Sequence, residues 1–117
     1  MIDFNIYQHQ AMRTAKTLGF EGDLTHSALG LAGEAGEYVD AVKKYVVYGR
    51  HLDKENAAEE IGDILWFCAL ACSTLGVSMQ QVAQENIDKL KRRYPEKYSD
   101  EFAAKRLDKV LNSCGTL

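Results

Sequence analysis

Proline is nearly absent. Pro95 is the only one in 117 residues, so little in the chain forbids long helices. Cysteine is sparse as well. Cys68, Cys72 and Cys114 show no metal-ligand spacing, which excludes a thiolate zinc framework. Cys68 and Cys72 lie four apart in an apolar stretch and read as buried thiols of a reducing compartment. There is no basic excess. A net charge of −3 and a pI near 5.6 argue against broad nucleic-acid or membrane-surface binding. The longest apolar run, Ile64 to Cys72, is too short to cross a bilayer. Met1-Ile2-Asp3-Phe4 carries no basic region followed by an apolar run, so a secretory signal is not expected and the expected location is cytoplasmic. Convincing two-residue alternation is missing too, and no sheet is expected.

What is present is helical pattern nearly everywhere. With 46% hydrophobic residues, the chain can build one domain, residues 1–117, around a sizeable core. The first helix is predicted from Phe4 to Leu18 and is broken by Glu21-Gly22-Asp23. The second is predicted from about Thr25 to Tyr48, with Leu24, Ala28, Leu31, Ala35, Val39, Val42 and Val46 as its apolar face. Gly49 is its left-handed stop. Asp53 caps a third helix that reaches about Leu75. Ser78 and Gln81 form a capping box for a fourth, which ends before Pro95. Ser99 caps a short last helix to about Leu111. The expected fold is all-α: an antiparallel four-helix bundle with a short extra C-terminal helix, oligomeric.

Two acidic pairs stand out, Glu34-Ala35-Gly36-Glu37 and Glu60-Ile61-Gly62-Asp63. Residues three apart share a helix face, so each pair is a two-carboxylate claw. Two facing claws suit a hard divalent cation such as Mg²⁺, which in turn can hold and polarise phosphates. Glu34 and Glu37 lie about 60° apart on a side shared with Gly30, Gly33 and Ala41. Interior glycines cost about 1 kcal/mol each relative to alanine, so their presence points to a need for room. Asp63 lies in a stretch that is apolar almost all round, which predicts a buried carboxylate. It has no basic neighbour four residues away, and metal ligation would resolve that conflict.

In the fourth predicted helix, Asn86, Lys89 and Arg93 can share a side, and a cation row beside a metal suits a polyphosphate. Lys43, Lys44, Lys91 and Arg92 read as surface cations. Phe67, one turn after Asp63, is a candidate floor for a base pocket, although core packing is the simpler reading. Trp66 reads as core or subunit interface. His26 reads as helical surface.

The strings Leu29-Gly30-Leu31-Ala32-Gly33-Glu34-Ala35-Gly36-Glu37, Glu59-Glu60-Ile61-Gly62-Asp63-Ile64-Leu65-Trp66 and Asn86…Lys89…Arg93-Tyr94-Pro95 resemble the MazG-like all-α nucleoside triphosphate pyrophosphohydrolases. The resemblance runs from Tyr7-Gln8 to about Asp108. It implies hydrolysis of (d)NTPs to monophosphate and pyrophosphate with Mg²⁺ or Mn²⁺, in helical dimers or dimers of dimers. It implies Glu34, Glu37, Glu60 and Asp63 as metal-site acids, and Lys89 and Arg93, with Asn86, as phosphate ligands. One departure is Tyr48-Gly49, where relatives often carry His-Gly.

Glu37 is the expected general base, because Glu34 lies nearer the apolar face and is the more fixed ligand. The expected role is house-cleaning of the nucleotide pool. The alternatives are a phosphoribosyl-ATP pyrophosphohydrolase-like enzyme and a non-hydrolysing nucleotide-binding adaptor. A di-iron carboxylate bundle ranks low, since no Glu is followed by His at the third position. The expected partners are a nucleoside triphosphate and further copies of the chain, with no nucleic acid and no membrane. Trp66 and Leu70 on an outward side of the third helix predict a homodimer or homotetramer.

Overall fold

The computed structural model describes residues 3–109. Among them the fold is all-α, with no strand: α1 (Phe4–Met12), α2 (Phe20–Val46), α3 (Lys54–Leu75), α4 (Met79–Arg93) and a short α5 (Asp100–Lys105). No single helix is long and apolar enough to cross a membrane. Two compact units, residues 1–79 and 80–117, divide the chain.

In the first unit, α3 packs against both α2 and α1. Asp3 caps α1 by accepting from the Ile6 N–H at 2.8 Å. The helix stops at Met12, not at Leu18 as the periodicity suggests. Arg13, Thr14 and Ala15 donate to carbonyls three residues back, the tightened bonding of a helix end. The Ala11 carbonyl also accepts the Trp66 indole N–H at 3.1 Å, and Thr14 Oγ1 accepts it at 3.0 Å. A side chain more than fifty residues away thus holds the end of α1.

The break between α1 and α2 also moves. Gly19, with φ +84°, takes the left-handed turn, and Glu21 and Asp23 fall inside the first turn of α2. There they complement the positive helix end. Asp23 also accepts from the Leu18 N–H at 3.0 Å, tying down the incoming chain.

Several predicted stops and caps stand where the sequence puts them. Gly49 has φ +64°, and the next residue, Arg50, donates its N–H to the Lys44 carbonyl at 3.0 Å. Asp53 caps α3 through the Asn56 N–H at 3.0 Å. Gly76 ends α3 with φ +71°, and the Val77 N–H reaches back to the Cys72 carbonyl at 2.9 Å.

The buried centre is made of Ala11, Ala69 and Met79, with Tyr7, Met12, Leu65, Trp66, Cys68 and Cys72 packed around it. Burial pushes both thiols up, as expected of half-buried cysteines, while Cys114 lies outside the described residues. Gln8 closes this end. Its Nε2 donates to Ser73 Oγ (3.0 Å) and the Val77 carbonyl (3.1 Å), and its Oε1 accepts from the Met79 N–H (2.7 Å).

Trp66 and Leu70 do not form an outward patch. Leu70 is 4% exposed, and Trp66 is half-buried with its indole hydrogen-bonded. On α2, Val39 is 60% and Val46 69% exposed. The predicted inner stripe of α2 therefore faces largely outward, because α2 meets α3 through the side that carries Gly30 and Glu34.

In the second unit, Ser99 caps α5 by accepting from the Phe102 N–H at 3.1 Å. α5 ends at Lys105, where Arg106 takes a left-handed φ of +51°; the predicted end at Leu111 lies outside the described residues. Arg93 grips Asp108 in two parallel bonds, Nε to Oδ1 at 3.0 Å and Nη2 to Oδ2 at 3.1 Å. Asp108 is buried, and this pairing lowers its pKa to about 2.

Candidate metal centre

The connection of residues 47–53 returns α3 along α2 in the opposite direction. The pairing of residues shows it: Gly30 meets Phe67, and Glu34 meets Asp63 and Glu60. Later positions on one helix face earlier positions on the other. Gly30 is required for this approach. A Cβ at position 30 would fall within the Phe67 ring, so only glycine lets that ring lie against the α2 backbone. Around Gly33 and Gly36 the space is open.

One turn along from the Phe67 contact, three of the four acids converge. Carboxylate oxygens of Glu34, Glu60 and Asp63 all lie within 4.8 Å of one another. Glu34 and Glu60 are half-buried. Asp63 is exposed, contrary to the burial expected from its apolar neighbours. The apolar belt of α3 is not enclosed on every side: Ile61 is itself 49% exposed. Asp63 is thus brought to the cluster by its helix position, not driven there by burial.

Glu37 stands outside the triad, exposed, but close enough for its charge to act on Glu60. The Glu60 pKa is raised. The main cause is a hydrogen bond shared with Glu34; loss of water and repulsion by Glu34, Asp63 and Glu37 add to it. Among the described residues, none of these four acids has a lysine or arginine in ion-pair contact. A cluster of hard oxygen donors with unrelieved negative charge, held on two packed helices, fits a divalent cation such as Mg²⁺ or Mn²⁺.

Glu37 and Glu60 also line an adjoining cavity of about 330 Å³, together with Asp40, Ala41, Lys44, Arg50, His51, Asp53 and Asn56. Lys44 is the exposed cation expected, and its Nζ pairs with Asp40 Oδ2 at 2.9 Å on the rim of this cavity. Arg50 and His51 were not singled out by residue pattern. The available signal was positional. Gly49 and Asp53 bracket a short connection whose residues must lie at the same end of the helix pair as Glu37 and Glu60.

The aromatic candidates sit on the other side of the acids. Phe67 meets Trp66 edge-on at 5.0 Å and His26 at 5.4 Å between ring centroids. His26 is half-buried in this cluster and is not helical surface, and its Nδ1 is buried without a partner.

Asn86, Lys89 and Arg93 share α4 in the second unit. Asn86 is exposed, so its amide needs no protein partner. Lys89 is half-buried, with no ion pair among the described residues. Arg93 is committed to Asp108.

A helical hairpin thus presents three carboxylates that can together coordinate a divalent cation. Residues 24–98 match the MazG nucleotide pyrophosphohydrolase domain. The chain belongs to that family. It is also similar to the Gene 37 protein of Mycobacterium phage L5, at 34% identity over 102 residues, covering 76% of this chain and 86% of the phage protein. No solved structure shows a significant match.

Proposed function

We propose that the protein is a Mg²⁺-dependent nucleoside triphosphate pyrophosphohydrolase, converting a (d)NTP and water into a (d)NMP and pyrophosphate. The observation that carries this reading is the convergence of Glu34, Glu60 and Asp63 from two helices of a MazG-family chain. Mn²⁺ is an acceptable substitute for this donor set.

Glu34, Glu60 and Asp63 would hold the ion, and Glu37 completes the acidic rim. A divalent ion bound there supplies charge neutralisation and polarises phosphate oxygens. Glu37 is the carboxylate least engaged by the triad, and it takes the proton of the attacking water. The water oxygen forms a bond to the α-phosphorus, the bond from that phosphorus to its bridging oxygen breaks, and pyrophosphate leaves. The fixed helix pair contributes mainly positioning. Asn86, Lys89 and Arg93 are the phosphate ligands in this reading, as the family pattern implies. Arg93 would have to share its guanidinium with Asp108 to serve. Phe67 is the proposed base contact, with the His26 and Trp66 rings behind it.

The working form is a homodimer or homotetramer in the cytoplasm, engaging neither membrane nor nucleic acid. Its interface is the exposed α2 groove lined by Tyr38, Val39, Val42, Val46 and Val47. A second copy can bury that groove by two-fold symmetry. Light scattering should report more than a 13.1 kDa particle.

The direct test is a panel of NTPs and dNTPs, with Mg²⁺ and pyrophosphate detection. Release of pyrophosphate from at least one of them is expected. No release from any of them would overturn the assignment.

A further inference from the structure

The cavity beside the acids has an asymmetric lining. Glu37 and Glu60 form the wall it shares with the acidic cluster, and Lys44, Arg50 and His51 bring the cationic side chains. Lys44 is already half-neutralised by Asp40. Arg50 has no ion pair among the described residues, so its guanidinium fork is unspent. The backbone that carries it is fixed on both sides. Its own N–H is bonded to the Lys44 carbonyl, Gly49 makes the left-handed turn before it, and Asp53 anchors the chain to α3.

We propose that Arg50 and His51 form a subsite for the pyrophosphate half of the substrate, continuous with the acidic cluster. The proposal rests on the triphosphate reading of that cluster and adds an orientation to it. Phosphates fit this cavity better than a base does. Ala41 is its one apolar lining residue and His51 its one ring. A base would need more stacking surface than that to replace the water it loses. An arginine fork matches phosphate oxygens in a bidentate way.

The charge balance makes the subsite conditional. Glu37, Asp40, Asp53 and Glu60 outnumber Lys44 and Arg50, so without a divalent ion the cavity is net negative and repels a polyphosphate. Metal must therefore come before, or with, the phosphates.

Calorimetry on the full chain tests this with inorganic pyrophosphate, Mg²⁺ and AMP as separate probes. Wild-type protein is expected to bind pyrophosphate with Mg²⁺ and not with EDTA. Arg50→Ala should weaken that binding about tenfold or more, the loss of a charge-assisted bond. Arg50→Lys should recover part of it, and His51→Ala should weaken it less. Mg²⁺ alone should bind Arg50→Ala as it binds wild type. Arg50 is exposed, so the variant should fold. The subsite is wrong if Arg50→Ala binds magnesium pyrophosphate as wild type does, if it loses AMP instead, or if pyrophosphate binds equally well in EDTA. A failure of wild type to bind Mg²⁺ would break the metal reading itself. Pyrophosphate binding without turnover of any triphosphate would leave the subsite standing and remove the hydrolase.

Discussion

Glu60 and Asp108 are both carboxylates withdrawn from water, and their surroundings treat them oppositely. Asp108 is gripped by Arg93, and its pKa falls to about 2. Glu60 faces Glu34, Asp63 and Glu37, and its pKa rises. The first acid is spent on holding the second unit together. The second is held in an unfavourable state by helices that could have been built without it. An acid that destabilises its own fold needs another reason to be there, and cation binding is the one its neighbours suggest.

The largest expected effect is at the unfavourable end. Asp63→Asn keeps shape and removes a negative ligand, so activity should fall by about 100-fold or more, with helical circular dichroism unchanged. Full activity in Asp63→Asn would show that the cluster is not the metal site.

At the satisfied end the effect should fall on stability. Asp108→Asn leaves the Arg93 guanidinium without its charged partner, so Tm should drop by several degrees in thermal unfolding. An unchanged Tm would mean that the pair is a passive surface contact.

Gln8→Ala removes three hydrogen bonds at the closed end of the first unit, which should cost about 2 kcal/mol in denaturant unfolding. A change near zero would place the hold of α1 on its apolar contacts alone.

The smallest effect, and the sharpest test of the contrast, is the pH dependence of stability. Asp108 has a lowered pKa, so it favours the fold above its unfolded value of 3.8 and loses that contribution as pH falls towards about 2. Glu60 has a raised pKa, so its penalty is full above the raised value and fades as pH falls towards its ordinary 4.5. Acidification should first stabilise slightly and then destabilise. Glu60→Gln should abolish the first phase and raise metal-free stability at neutral pH, and Asp108→Asn should flatten the second. Identical curves for both variants and wild type would dissolve the contrast.

The readable features share a cause: they are local in the chain. Three-residue spacing puts Glu60 and Asp63 on one face whatever surrounds them. Asp53, Ser99 and Gly49 act within a few residues of themselves. The unreadable features are set from a distance. The end of α1 depends on the Trp66 indole, and Arg93 finds Asp108 across a turn in the second unit. The face of α2 was misread for the same reason. The Val39 and Val46 stripe has the right period for a core, but Phe67 fits only against Gly30, and that sets the Gly30 and Glu34 side against α3. Asp63 was legible as a neighbour of Glu60 on one helix face and not as an exposed residue.

The seven-residue link between α2 and α3, residues 47–53, has a kinetic consequence. Every acid of the cluster, and every cation of the cavity beside it, comes from one pair of consecutive helices and the link between them. Their contacts need no long loop to close, so this pair is expected to assemble early and fast. The chemistry is thus carried on a cassette that can in principle be moved whole. Grafted between two stabilising helices, residues 20–75 should bring their ion-binding property with them.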